Sequence, residues 1–474
     1  HECIGEAYRA AEMRRIGSRA RCHYCGKSRR AVALSTLADE IESAFTRHFI
    51  RTADQPSTWE EAMMRDRESN YSWTREGYEV VDAIEDAARI SREAASDVQE
   101  LLDHRHGNPD PSDPGDETEF APDSYYEEKV PSDAAWAAEW NRFEDSLKKE
   151  ARFFNQHAAE HLRSIFVGLS AMKTWEGVPI VVDAGPGRTV EALFRARVFQ
   201  SDASLVEALQ SPEKNLGPPP TRRASAGRMN ASGVAVFYSA TDSHTAITEV
   251  RPPVGSQVVV AKFSITRNLR LLDLRATERL ASVEGSIFDP AYAVQLERVA
   301  FLRTLCNRLA SPVMPDDEAL DYLPTQAVAD FLATSAEEEV DGIIFPSVQA
   351  GNDGSNVVLF NKACRVEERR LPKGTEVIAE TFRDTEDGPE REYTVYERVP
   401  RQSSNPTPAL PGDFALLDEL LEPGHLNDRV DPRAVTLRFN VDSISIHIVK
   451  RVVFETEDHD VHSHRLEEQE HDDF

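Results

Sequence analysis

Two patterns of apolar residues divide the sequence, and one gives way to the other near Val178. Before that point apolar residues recur at spacings of three and four, which is typical of amphipathic helices. After it, short apolar runs alternate with turn residues, which predicts strands. We therefore predict an α+β protein with a helical first half and a mixed sheet in the second half.

The helical half is interrupted by one segment of different composition. Residues 106–131 contain five prolines among Asp, Ser and Glu, and this mixture predicts a mobile acidic loop. Helices are predicted over residues 31–50 and 74–104, and from an N-cap at Ser132 towards Met172.

The second half is predicted to be a domain over 178–456 with a polar insertion at 368–431. A zinc-knuckle segment (1–30) and a helical domain (31–177) precede it, and an acidic, histidine-containing tail (457–474) follows it. The predicted strands are 192–199, 234–239, 258–265, 269–274, 342–345, 357–361, 435–439 and 444–453, with helices near 291–308 and 324–333.

Charge and cysteine content narrow the classes of function. The net charge of −29 repels phosphates, so nucleic-acid binding is not expected unless basic residues cluster locally. No apolar run reaches the ~18 residues that span a bilayer. Five cysteines with no secretion-signal pattern favour the reducing cytoplasm. Whether copies of the chain form a homo-oligomer stays open.

The first 30 residues contain a candidate metal site. Cys22 and Cys25 have the spacing of a zinc knuckle, in which a tight turn brings two thiolates onto one ion. Cys3 offers a third ligand. The fourth is either His1 or a cysteine immediately before it. A structural zinc would stabilise a terminus too small to fold alone, and the alternative is that the cysteines are reduced and bind nothing.

Polar residues at the ends of predicted strands form a second candidate site. Arg195 and Arg197 alternate on one strand, so both point to the same face, and an arginine in an apolar strand is costly unless it meets an anion. The remaining members follow in turns, at strand ends and on a short helix. They are Arg228, Tyr238, Glu249, Ser347 and Asn356.

This set suits cleavage of a nicotinamide–ribose bond. A carboxylate stabilises the positive charge that develops on the ribose as nicotinamide leaves. Arginines hold a diphosphate, and an aromatic ring stacks on nicotinamide. Taken singly, each residue is more often a surface ion pair or a core tyrosine, so only the combination carries the prediction.

The order of these motifs resembles RES-domain proteins, which are bacterial toxins usually paired with an antitoxin. The motifs are Phe-Arg-Ala-Arg, Ala-Gly-Arg-Met-Asn, Val-Phe-Tyr-Ser-Ala, Ala-Ile-Thr-Glu-Val, and Gly-Ile-Ile-Phe-Pro-Ser with Asn-Val-Val-Leu-Phe. The resemblance implies an ADP-ribosyltransferase-like split sheet that grips NAD+ and destroys it by hydrolysis or phosphorolysis, or transfers ADP-ribose to a protein. It assigns the catalytic arginine, glutamate and serine to Arg195, Glu249 and Ser347. Arg228, Tyr238 and Asn356 fall where the family has further pocket residues.

The first half resembles the HEPN/RES N-terminal domain through its cysteine knuckle and the Arg-Phe-Phe that starts at Arg152. HEPN-type nucleases use an arginine and a histidine four to six residues apart, so Arg152 and His157 form a rival, ribonuclease site. A further alternative is an inert RES fold in which the helical half only binds a partner. The intact arginine, glutamate and serine favour the enzyme.

Overall fold

The computed structural model describes residues 3–107, 117–335, 337–351, 354–400 and 431–464. Its helices are α1 (Ala7–Ile16), α2 (Leu34–His48), α3 (Thr58–Arg65), α4 (Val80–Ala88), α5 (Arg92–His106), α6 (Ala134–Lys149), α7 (Gln156–Phe166), α8 (Asp202–Gln210), α9 (Pro212–Asn215), α10 (Ser243–Glu249), α11 (Leu274–Thr277), α12 (Pro290–Ala310), α13 (Glu318–Asp321) and α14 (Leu323–Thr334). Within these ranges, no helix is both long and apolar enough to cross a membrane.

The strands are shorter and lie mostly in the second half. They are β1 (Ser18–Arg21), β2 (Ser28–Ala31), β3 (Phe49–Arg51), β4 (Tyr78–Glu79), β5 (Tyr125–Glu128), β6 (Val181–Ala184), β7 (Ala192–Phe199), β8 (Phe237–Ala240), β9 (Gln257–Ile265), β10 (Leu269–Asp273), β11 (Gly342–Pro346), β12 (Ser355–Leu359), β13 (Glu376–Thr385), β14 (Gly388–Arg398), β15 (Leu437–Phe439) and β16 (Ser445–Ile448).

The chain folds into two compact units that interleave along the sequence. Unit 1 contains His1–Val182, Ala226–Ala231 and Arg270–Phe345, and unit 2 contains Asp183–Ser225, Ser232–Leu269 and Pro346–Phe474. Contiguous helical and strand-rich domains were predicted from the sequence. The interleaving arises because two later segments of the chain pack with the helical half, which no local pattern indicates.

The first core of unit 1 lies between α2, α4 and α5. Their apolar faces bury Ile41, Ile84 and Leu102 completely, as the spacing of three and four predicts. A small antiparallel sheet with the order β3-β5-β4 packs beside them. Strand β5 falls inside the segment predicted to be a loop, so that prediction is wrong there. Residues 108–116 of the same segment lie outside the described residues.

A second core of unit 1 is aromatic and joins α6, α7 and α12. Trp140, Phe143 and Phe301 are buried in it, and the rings of Trp140 and Phe301 lie 5.8 Å apart. The single long helix predicted from Ser132 is wrong, because α6 ends at Lys149 and α7 begins at Gln156. Phe154, between them, has a φ of 58°, which a continuing right-handed helix cannot contain.

Both units contain β-structure, and the pairings include both directions. In unit 1, β10 and β11 are parallel. In unit 2, the order β15-β9-β7-β8-β12 is antiparallel, and β16 also pairs with β9. The α+β class and the mixed pairing that the sequence predicted are confirmed.

The region predicted to be a polar insertion contains a hairpin. Strands β13 and β14 pair in antiparallel fashion around Glu386 and Asp387, followed by Gly388 with a φ of 113°. Asp-Gly between two runs that contain β-branched and aromatic residues is a hairpin signal, so the sequence held the information. Residues 401–430 and the end of the acidic tail, 465–474, lie outside the described residues.

His161 makes the stability of unit 1 depend on pH. It is buried among Trp140 and Phe143, its Nε2 atom has no hydrogen-bond partner, and burial lowers its pKa. The unfolded chain therefore binds the proton more readily. The stabilising contribution of neutral His161 is complete above about pH 6.5 and is lost as the pH falls below that value.

We expect the thermal midpoint of the protein to fall between pH 7.5 and 5.5, and we expect His161→Phe to reduce that fall. His157→Gln is the matched control, because His157 is 54% exposed and pairs with Glu139. Scanning fluorimetry across the pH range measures both effects. An unchanged pH dependence in His161→Phe would contradict the assignment.

Candidate functional site

Glu249 is the last residue of α10, and the sequence fixes that helix at both ends. Asp242 caps it, because its Oδ1 accepts a hydrogen bond from the Thr245 backbone N–H (2.8 Å). Ala246 packs with Ala196 and Val260 on the sheet of unit 2. The helix therefore holds Glu249 at a fixed place against β7 and β9.

The carboxylate of Glu249 accepts two hydrogen bonds on one oxygen. Ser347 Oγ donates to Oε1 at 2.5 Å, and Asn356 Nδ2 donates to the same atom at 2.7 Å. Ser347 is fully buried, and its Oγ accepts a bond from the Ala350 N–H. Within the described part of the chain, Oε2 accepts no hydrogen bond. Glu249, Ser347 and Asn356 therefore form one cluster, and Oε2 is left for a ligand.

The strand register adds Tyr238 to the same side of the sheet. Asn356 is paired with Ala240, and Ala240 is paired with Phe194. Paired residues share a face, and so do residues two apart on one strand. Tyr238, two residues before Ala240, therefore lies on the face that carries α10 and Asn356. It is half-buried.

Arg195 lies on the opposite face of that sheet. It follows Phe194 directly, and its guanidinium sits 4.9 Å from the centre of the Phe237 ring. Its Nη1 atom is buried and has no hydrogen-bond partner. Burial, together with a smaller effect of the nearby Arg197, lowers the pKa of Arg195 to about 10. A buried guanidinium without an anion is unfavourable, so the position suits a negatively charged ligand.

The pairing of β7 differs on its two sides. Strand β7 pairs with β9 along all eight of its residues, but with β8 only at Phe194 and Ala240. Arg195 directly follows this bridge on β7, and Tyr238 precedes it by two residues on β8.

The other two predicted arginines already have neutral partners. Arg197 is exposed and donates to the Asn215 carbonyl at 2.6 Å. Arg228 belongs to unit 1, where it donates to the Leu309 carbonyl at 2.9 Å and lies over the Tyr322 ring. Carbonyl groups do not neutralise a guanidinium, so both retain a positive charge.

The sulfur atoms of Cys3, Cys22 and Cys25 lie within 4.8 Å of one another. The distance from Cys3 Sγ to Cys22 Sγ is 3.8 Å. Two sulfurs bound to one tetrahedral zinc at about 2.3 Å are about 3.8 Å apart. The three thiols therefore fit three of the four positions around a structural zinc ion in type and spacing. His1, the predicted fourth ligand, lies outside the described residues.

The rival ribonuclease pair lies on different types of structure. Arg152 is exposed in the segment between α6 and α7, whereas His157 lies in the first turn of α7. His157 Nε2 is 3.0 Å from Glu139 Oε1. Arg152 and His157 are therefore not on one helix, and His157 already has an acidic partner.

Two residues that position the site were not selected from the sequence. Phe237 supports the Arg195 guanidinium, and Asp242 caps the helix of Glu249. Asp242 was recognisable as an acidic residue three positions before Thr245 at a helix start. Phe237 was not recognisable from the sequence, because its role depends on the contact that the Arg195 side chain makes with β8.

Comparison with known families supports the same reading of the chain. Residues 194–382 match the RES domain, and residues 15–161 match the HEPN/RES N-terminal domain 1. No curated protein and no solved structure matches the chain significantly. The RES match contains the Glu249 cluster, Arg195 and Tyr238. The chain therefore contains a RES domain, and a HEPN/RES N-terminal domain 1 precedes it.

Proposed function

We propose that the RES domain acts as a toxin that consumes NAD+ by cleaving the bond between nicotinamide and ribose. The observation that carries the proposal is the Glu249 carboxylate, whose Oε1 is held by Ser347 and Asn356 while Oε2 stays available. A carboxylate held in this way is preorganised to stabilise a cation without moving during the reaction.

The chemistry follows from the bond that breaks. Nicotinamide leaves with the bonding electron pair, and the ribose carbon becomes positively charged. Glu249 stabilises that charge, and its Oε2 accepts a hydrogen bond from a ribose hydroxyl. Attack by water gives ADP-ribose, nicotinamide and a proton, and attack by phosphate gives ADP-ribose 1″-phosphate in place of ADP-ribose. Transfer of ADP-ribose to a protein side chain is the alternative outcome in the same site.

The unpaired, buried Nη1 of Arg195 suits the diphosphate of NAD+. A phosphate group can accept hydrogen bonds from two nitrogen atoms of one guanidinium. In this proposal NAD+ extends past the short pairing of β7 with β8, with its diphosphate at Arg195 and its ribose at Glu249. Tyr238 stacks on nicotinamide. Arg228, assigned to the diphosphate by the resemblance, remains part of the proposal.

An enzyme of this type would deplete the NAD+ of its own cell. We therefore propose that an antitoxin or another regulatory partner restrains the toxin. The ribonuclease alternative receives no comparable support, because Arg152 and His157 do not share a helix.

We also propose that the three N-terminal cysteines bind a structural zinc ion. Zinc would join Cys3, before α1, to the turn between β1 and β2. It would thereby fix a hairpin of only four residues on each strand, which has little core of its own.

We expect Glu249→Gln to lower the rate of nicotinamide release by about 100-fold or more. The substitution keeps the size of the side chain but removes the charge that stabilises the ribosyl cation, and loss of one such group costs about that factor. Chromatography of NAD+ incubations, with and without phosphate, measures the release and identifies the product.

Glu207→Gln is the matched control, since Glu207 is exposed on α8 of the same unit. It should retain wild-type release. Release that persists in Glu249→Gln would refute the site. A folded wild-type protein that neither releases nicotinamide nor modifies lysate proteins with labelled NAD+ would refute the activity.

We expect Arg195→Met to raise the KM for NAD+ at least about tenfold, because a charged hydrogen bond contributes about 1.5–3 kcal/mol. The thermal midpoint should stay the same or rise, since methionine removes an unpaired buried charge. Steady-state kinetics and scanning fluorimetry separate these effects. A lower midpoint with an unchanged KM would make Arg195 a packing residue.

We expect one zinc ion per chain by mass spectrometry of the purified protein. Cys22→Ser should lose it, because three ligands drop to two. Cys306→Ala should keep it, since Cys306 is buried in α12, away from the cluster in sequence. A metal content that is the same in wild type and Cys22→Ser would contradict the site.

A further inference from the structure

One short segment has a positive charge, opposite to that of the chain as a whole. Residues 14–30 contain seven basic side chains and no acidic one, in a protein whose net charge is −29. The basic residues are Arg14, Arg15, Arg19, Arg21, Lys27, Arg29 and Arg30. The acidic average that disfavours phosphate binding therefore does not describe this part of the surface.

The hairpin formed by β1 and β2 gathers three of these arginines on one face. Arg19 is paired directly with Arg30, and Arg21 is paired with Ser28. Residues two apart on a strand share a face, so Arg19, Arg21 and Arg30 point the same way. All three are exposed. Like charges directly opposite one another destabilise a strand pair, and an anion bound between them offsets this cost.

The hydrogen bonds that Arg21 and Arg30 donate to backbone carbonyls do not neutralise charge. Arg21 Nε donates to the Gly26 carbonyl at 3.2 Å, and Arg30 Nη1 donates to the Arg14 carbonyl at 2.7 Å. In the described ranges, Arg14, Arg19 and Arg21 form no ion pair. Arg19 and Arg21 therefore carry positive charges that no acidic side chain of the described residues pairs with.

The turn of the same hairpin presents an aromatic side chain. His23 is exposed, and its ring lies 5.4 Å from the Tyr24 ring in an edge-on arrangement. Tyr24 is anchored, since its hydroxyl donates to Asp97 at 2.8 Å. An exposed ring beside a row of arginines offers a nucleobase a surface on which to stack.

We propose that this basic hairpin, residues 14–30, binds the phosphodiester backbone of single-stranded nucleic acid. Arg19 and Arg21 are two residues apart on an extended strand, so their side chains start about 6.7 Å apart along it and can follow successive phosphates. His23 stacks on an unpaired base, which a duplex does not offer. The proposal does not depend on NAD+ cleavage, so either can fail without the other.

The test is fluorescence anisotropy of the full chain with labelled 12-nucleotide RNA, the same DNA strand and a 12-base-pair DNA duplex, from 50 to 200 mM KCl. We expect both single strands to bind more tightly than the duplex, with affinity falling steeply with salt. Arg19→Gln with Arg21→Gln should weaken binding at least about tenfold. The same change should reduce the logarithmic salt slope by about 1.4, or 0.7 for each phosphate contact.

Arg65→Gln with Arg67→Gln is the matched control, because it removes two exposed charges from the same half of the chain. It should leave binding unchanged. Circular dichroism and metal content show whether the hairpin double variant is folded. If it is not, photocrosslinking of the wild type to 4-thiouridine RNA decides, and crosslinks within residues 14–30 support the proposal.

Several outcomes would overturn the proposal. They are no binding of either single strand at 50 mM KCl, equal loss in both double variants, tighter binding of the duplex, and crosslinks outside the hairpin. Binding of a poly-glutamate peptide but of no nucleic acid would assign the face to an acidic protein instead. A preference between the RNA and DNA strands would show whether the 2′-hydroxyl contributes.

Discussion

The candidate reaction site depends on two hydrogen bonds to one oxygen of Glu249. Ser347 and Asn356 come from opposite ends of a chain segment that returns to the sheet about 100 residues after Glu249. Their bonds fix the carboxylate at the end of a short helix that could not position it alone. Without these hydrogen bonds Glu249 would be a solvated side chain, and its carboxylate would have no fixed orientation.

Arg195, on the other face of the sheet, is the second group on which the account rests. Its position is unfavourable, because a buried nitrogen of its guanidinium, beside Phe237, has no acceptor. An anionic ligand bound to that nitrogen would offset this cost. In this account, the negative charge of the ligand offsets the unfavourable environment of Arg195.

Much of this organisation could be predicted from local pattern. Strand β7 begins and ends where the alternation predicted, and the motifs singled out Glu249 and Ser347, which the structure brings together. The face on which Arg195 lies could not be predicted in this way. Alternation relates Arg195 to Arg197 but does not relate either of them to Glu249. That relation depends on the register through Ala240 and Phe194, which is set by long-range pairing. The break at Phe154 escaped for a similar reason, because both flanking segments favour helix.

The central claim is that the cluster at Glu249 cleaves NAD+. The most direct measurement is proton NMR of NAD+ incubated with the purified full chain, which follows the ribose proton next to nicotinamide. The account predicts that this signal decays while free nicotinamide and an ADP-ribose product appear in equal amounts. An unchanged NAD+ spectrum in the presence of folded protein would contradict it.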